Sequence, residues 1–195
     1  MRKLNYKGFT IIELLIATVI FSVILLVITG AIVQFGQIYY KGVIQSRTQE
    51  RARAITEDIS KSIQFSGNDP HPALASANHL CVGDRRYTWT ENVQLSATQR
   101  VLVADDAPGC TGPYTGMNVP LPTGKTELAG EKMQLLNLEV IREPANPSLF
   151  TIKVRLAYGN SSDMTGTPQV CRTINLGGQY CAITELTTTV TRRLK

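Results

Sequence analysis

The chain has 195 residues, a formal net charge of +5 and a pI near 9.1, and 43% of its residues are hydrophobic. Three of the positive charges, Arg2, Lys3 and Lys7, sit ahead of Gly8, and a product lacking them carries +2. The basic balance is therefore weak support for a nucleic-acid partner, and no nucleophile elbow, P-loop or dinucleotide fingerprint points to an enzyme.

Behind the basic cluster, Gly8-Phe9-Thr10 opens into an apolar run from Ile11 to Val33 whose one charge is Glu13. The run is roughly 23 residues, long enough to cross a bilayer as a helix rising about 1.5 Å per residue. A carboxylate inside a membrane helix is costly, so a lone one demands a partner or a function. Cleavage after Gly8 would create a partner, because Phe9 would become a positively charged N-terminus one helical turn from Glu13 on the same face. Two plainer readings are a secretory signal peptide cut near Thr29-Gly30-Ala31 and an uncleaved signal anchor. The first expects an apolar core of only about 7–15 residues, and neither accounts for Gly8 together with Glu13. Basic residues ahead of the span keep the leader cytoplasmic and send everything after Val33 outward.

The stretch Lys7-Gly8-Phe9-Thr10-Ile11-Ile12-Glu13-Leu14-Leu15 resembles the prepilin leader junction of type IV pilins and type II secretion pseudopilins, with matches at Gly8, Phe9, Thr10 and Glu13. The resemblance implies cleavage after Gly8 by a membrane aspartyl peptidase and methylation of the new Phe9 amine. It implies an assembly role for Glu13, with Thr10 beside it, in docking the subunit into a filament. The partners it implies are the prepilin peptidase, other pilin subunits and the inner-membrane assembly platform, and no cofactor is called for.

From Gln34 to Phe65 there is no proline, and Phe35, Ile38, Tyr39, Val43, Ala52, Ile55, Ile59 and Ile63 recur at helical spacing. Charged residues lie between them, and Arg53/Glu57 and Glu57/Lys61 are spaced for i,i+4 pairing. Unbroken from Phe9 to about Phe65, such a helix would be roughly 85 Å long, so its first half must be buried in something other than its own domain. Gly30, Gly36 and Gly42 interrupt it. They suit either close helix packing in a membrane or a weak point that unwinds on leaving lipid. Major pilins often carry a proline at the position of Gly30.

Ser66-Gly67-Asn68-Asp69-Pro70 marks the helix end. Beyond it, strands are predicted at 86–90, 100–103, 135–141, 149–158 and 183–192. The pair 135–141 and 149–158 reads as an antiparallel hairpin with a long loop, Arg142 to Ser148. Alternation through Phe150, Ile152, Val154, Leu156 and Tyr158 gives it one apolar face to pack on the helix. Asp105 to Glu131 reads as an irregular loop. Four cysteines lie beyond the span, where disulfides persist. The preferred pairs are Cys81–Cys110 and Cys171–Cys181, among three possible connectivities, and the second requires a loop of about five residues centred on Leu176.

The spacing of the cysteines with His71 and His79 is wrong for zinc. Asp84, Asp105 and Asp106 could contribute to a calcium site, but surface turn chemistry explains them. No metal site is expected. Asn160-Ser161-Ser162 is a sequon that marks a loop. Residues 53–63, Tyr87-x-Trp89 and 183–193 are similar to minor pilins or pseudopilins of the tip-initiating kind.

The fold expected is α+β, a long N-terminal helix packed on a C-terminal antiparallel sheet. Its divisions are a leader at 1–8, a transmembrane and filament-core helix at 9–33, an amphipathic continuation at 34–66, and an extracytoplasmic β-rich domain at 67–195. The function expected is that of a type IV pilus or pseudopilus subunit, a minor one, with no enzymatic activity. The competing class is a tip-displayed module for DNA or a host surface, with Arg85-Arg86 and Arg192-Arg193-Leu194-Lys195 as candidate contacts, and an uncleaved membrane-anchored domain is the other alternative.

Overall fold

The computed structural model describes residues 8–66, 71–72, 78–110, 112–118, 120–172 and 178–193. The fold is α+β. Among the described residues one α-helix, α1 (Ile11–Phe65), precedes ten strands. The chain divides into two compact units, 1–39 and 40–195.

In the first unit α1 is apolar on every side, and its large side chains from Ile11 to Tyr39 are all exposed. It is the one described helix long and apolar enough to cross a membrane. Thr18, Ser22 and Thr29 return their hydroxyls to the carbonyls of Leu15, Thr18 and Leu25, so none needs an outside partner. Gly30 and Gly36 lie within the helix, and a Cβ at either would meet nothing within 4 Å.

In the second unit α1 buries a seam of Ile44, Thr48, Ala52, Ile55, Thr56, Ile59 and Ile63. The steps of three and four residues keep these on one face. Thr48 and Thr56 fit because each hydroxyl donates to the carbonyl four residues back, Ile44 O and Ala52 O, both at 2.8 Å. The seam begins later than periodicity predicted, since Phe35, Ile38 and Tyr39 are exposed and Val43 only half-buried. Periodicity registers an apolar face but not what covers it. The pairing Lys61–Glu57 is present at 3.8 Å between two exposed side chains, and it contributes little. The helix closes with the Ser66 amide donating to Ser62 O at 2.9 Å, and the turn expected at 67–70 lies outside the described residues.

Two antiparallel sheets, not one, face this seam. The first has the order β1 (His71–Pro72), β2 (His79–Val82), β3 (Arg85–Trp89), β4 (Leu102–Asp106), β5 (Lys125–Glu127). The second places β7 (Asn146–Tyr158) between β6 (Met133–Glu143) and β10 (Ala182–Thr191). A small ribbon pairs β8 (Met164–Thr165) with β9 (Val170–Cys171). One core unites α1 residues Ile55, Ile59 and Ile63 with Leu80, Tyr87, Leu102, Leu135, Phe150, Ile152, Val154, Leu156 and Val190. Each isoleucine so buried contributes about 1.5–3 kcal/mol relative to exposure.

Several predicted boundaries are corrected. The β6–β7 hairpin is tight, with Glu143 opposite Asn146 and only Pro144-Ala145 between the strands, where a seven-residue loop was expected. Arg142 Nε donates to Pro147 O at 2.8 Å, and the Ser148 amide donates to Asn146 Oδ1 at 3.1 Å, so polar residues that read as loop close a turn. The expected strand 100–103 is displaced to Leu102–Asp106, and β5 forms inside the stretch expected to be irregular. The sequon residues Ser161 and Ser162 lie in a 3-10 turn.

Candidate functional site

Gly8, Phe9 and Thr10 precede α1 and are exposed. Thr10-Ile11-Ile12-Glu13 builds a capping box: the Glu13 amide donates to Thr10 Oγ1 at 3.4 Å, and Glu13 Oε2 accepts from the Thr10 amide at 2.9 Å. The Thr10 hydroxyl donates to the same carboxylate oxygen at 2.7 Å. Two helix-start donors that no helical carbonyl can reach are thereby paired. The carboxylate sits in the first helical turn, where the backbone dipole favours an anion. Thr10 and Glu13 thus act as a unit, while Phe9 projects away with 78% of its surface exposed. The T-x-x-E pattern was the sequence signal for this cap, and the family likeness masked it by explaining the same residues another way.

The cysteines form two disulfides. Cys81 joins Cys110 with Cα atoms 5.8 Å apart, and Cys171 joins Cys181 at 5.6 Å. The loop centred on Leu176, residues 173–177, lies outside the described residues.

On the outer face of the first sheet, register aligns Cys81, Arg86, Asp105 and Lys125 in one row across β2 to β5. Asp105 is 3% exposed and holds two cations, Arg86 Nη2 at 2.6 Å and Lys125 Nζ at 2.5 Å. Its carboxyl is held below the ordinary value chiefly by the Arg86 hydrogen bonds, which outweigh desolvation. Tyr114 lies against both cations, 4.2 Å from Lys125 Nζ and 5.9 Å from the Arg86 guanidinium, measured at its ring centroid. Arg86 Nη1 also donates to Gly112 O at 3.2 Å, and the Tyr114 amide to Thr88 Oγ1 at 2.9 Å. The described part of residues 107–118 is therefore strapped to the sheet by a disulfide and a buried ion cluster.

This arrangement corrects two expectations. Asp105 is a buried strand residue rather than a surface turn aspartate, since its charge is matched by two cations on adjacent strands. Arg85-Arg86 is no free basic patch: Arg86 is spent on Asp105, and Arg85 reaches Asp58 at 3.3 Å and Asp106 at 3.8 Å. Of the C-terminal group, Arg193 stacks over the Phe65 ring at 5.7 Å, and Leu194-Lys195 lies outside the described residues. Tyr87 and Trp89 are core residues of β3. Among the described residues no cluster of His, Cys, Asp or Glu is arranged to hold a metal ion.

Residues 3–29 match a family model described as the prokaryotic N-terminal methylation motif. The match takes in Lys3, Lys7, the Gly8–Phe9 junction, the Thr10/Glu13 cap and the apolar helix as far as Thr29, and it makes this segment type IV pilin-like or pseudopilin-like. The motif is one of structural subunits, not of enzymes, and it implies association with other pilin subunits and with prepilin peptidase. No curated protein and no solved structure matches the chain.

Proposed function

We propose that this chain is a subunit of a type IV pilus or pseudopilus, a minor one, cut after Gly8 and N-methylated at Phe9. It is stored in the membrane by residues 9–33, with the helix continuing through 34–66 and the β-rich domain 67–195 outside the cytoplasm. On assembly the apolar helix leaves lipid for a bundle of similar helices. Apolar contacts hold such a bundle but are non-directional, so they cannot fix the axial offset between neighbours. Glu13 supplies that register by pairing with the Phe9 amine of an adjacent subunit. Prepilin peptidase and the inner-membrane assembly platform are the partners required.

The observation that carries this reading is the methylation motif at 3–29 on a helix whose large side chains are exposed from Ile11 to Tyr39, with Glu13 as the only acid of that stretch. A signal peptide or plain anchor has no use for that acid. Of the two basic groups that the DNA-binding alternative calls on, Arg85-Arg86 is ion-paired within the domain. Mass spectrometry of the mature product tests the proposal: the first residue should be an N-methylated phenylalanine, Phe9. A product beginning at Met1 or after Ala31 overturns it.

A further inference from the structure

We infer that Phe35, Ile38 and Tyr39 form an interfacial collar that binds the headgroup and glycerol zone of the outer leaflet and sets the depth at which the subunit is stored. The inference rests on the membrane-stored reading above. These three residues occupy one helical face at spacings of three and four, and all are solvent-exposed, at 72, 65 and 72%. They are apolar or aromatic, yet they lie beyond the run from Ile11 to Val33 and outside the seam that the β-rich unit covers, which starts at Ile44. Something other than the described chain must cover them.

Length identifies the occupant as lipid. Between Glu13 and Lys41 there is no charged residue, so charge alone leaves the outer boundary of the span undefined. Hydrocarbon is only about 30 Å thick, whereas a bilayer with its headgroups is about 40–45 Å. With the Thr10 cap at the inner interface, Tyr39 stands about 44 Å away along a helix rising 1.5 Å per residue, at the opposite headgroup layer. Gln34 and Gln37 alternate with the collar residues, which suits a zone holding both water and acyl chain. Tyrosine is enriched at that depth because its ring is apolar and its hydroxyl polar. Tyr40 and then Lys41 follow in sequence, the lysine able to extend toward lipid phosphate.

The test uses the full chain in phosphatidylcholine vesicles whose acyl chains carry bromine either near the glycerol or at mid-chain. Tyr39→Trp and Leu26→Trp each add one tryptophan, and the parent chain, with buried Trp89 alone, gives the background. Residue 39 should be quenched at least about twofold more by the shallow bromines than by the mid-chain ones, and residue 26, near the bilayer centre, the reverse. If residue 26 behaves so and residue 39 is quenched by neither lipid, or as deeply as residue 26, the collar is refuted while the membrane reading stands. If residue 26 is quenched by neither, the membrane reading itself fails and the collar with it.

Discussion

The Arg86 guanidinium meets the Asp105 carboxylate side-on, Nε to Oδ1 at 2.9 Å and Nη2 to Oδ2 at 2.6 Å, across the β3–β4 pair. Two parallel charge-assisted hydrogen bonds fix the register of these strands as well as their charge. Asp105→Ala would strand two cations, each with about a fifth of its side chain in water. The expected loss is about 2–4 kcal/mol, somewhat below that for a fully buried pair, read as a lower urea midpoint at unchanged slope.

Acid should act on the same group. Because the folded Asp105 carboxyl titrates below its ordinary value of 3.8, its contribution is complete above that pH and is lost as pH falls through the folded value. Glu127 is shifted the other way, raised chiefly by burial despite accepting amides from Val101, Leu102 and Ala129. Its contribution is complete below 4.5 and declines as pH rises through its folded value. Asp105→Asn should flatten the acid limb of a stability–pH curve, and Glu127→Gln should flatten the decline above pH 4.5. Unchanged limbs in both variants would contradict these assignments.

Tyr87 ties the helix to the first sheet. Its hydroxyl donates to Asp58 Oδ2 at 2.8 Å, lies 2.7 Å from Ser62 Oγ, and accepts from Arg85 Nε at 3.2 Å. Burial holds its ionisation well above the ordinary value. Tyr87→Phe leaves three polar groups short of a partner and should cost about 1–3 kcal/mol. Alkaline spectrophotometric titration should show the native phenol ionising only as the domain unfolds.

The disulfides should differ in worth. Cys81–Cys110 closes a separation of 29 residues and Cys171–Cys181 one of 10. Chain entropy gives about 3–4 kcal/mol for the first and about 2–3 for the second. Paired Cys→Ser replacement should therefore lower the melting temperature more at Cys81/Cys110. Equal shifts would mean that the ion cluster around Asp105 holds the strap without the bridge.

Thr10→Val keeps the shape of the side chain but removes both hydroxyl contacts to Glu13. Leader removal should proceed while incorporation into sheared filaments falls, less severely than the drop of at least about tenfold expected for Glu13→Ala. Gly8→Glu should act a step earlier and leave full-length precursor on a gel.

The long helix was legible because residues 34–65 lack proline and keep a repeating apolar stripe, and the central strand β7 because Phe150, Ile152, Val154 and Leu156 alternate without interruption. Strand β5 was not. Lys125-Thr126-Glu127 has no apolar residue, and it becomes a strand only because Lys125 reaches Asp105 and the Glu127 carboxylate accepts amides at the start of β4. Asp105 was hidden for the same reason, since an acidic residue reads as surface until its cross-strand partners are known. The beginning of the buried seam was illegible because the apolar residues that the helix leaves exposed and those it buries share one vocabulary.

Strand β7 is bonded along one side to β6, its hairpin neighbour, and along the other to β10, which arrives only after the chain has passed through β8 and β9. Val190, near the end of β10, is a core residue against the α1 seam. A polypeptide made from its N-terminus therefore acquires its closing strand late. Until β10 is in place, β7 keeps one edge unpaired, so a chaperone or protease can distinguish an unfinished chain from a finished subunit by that one missing strand.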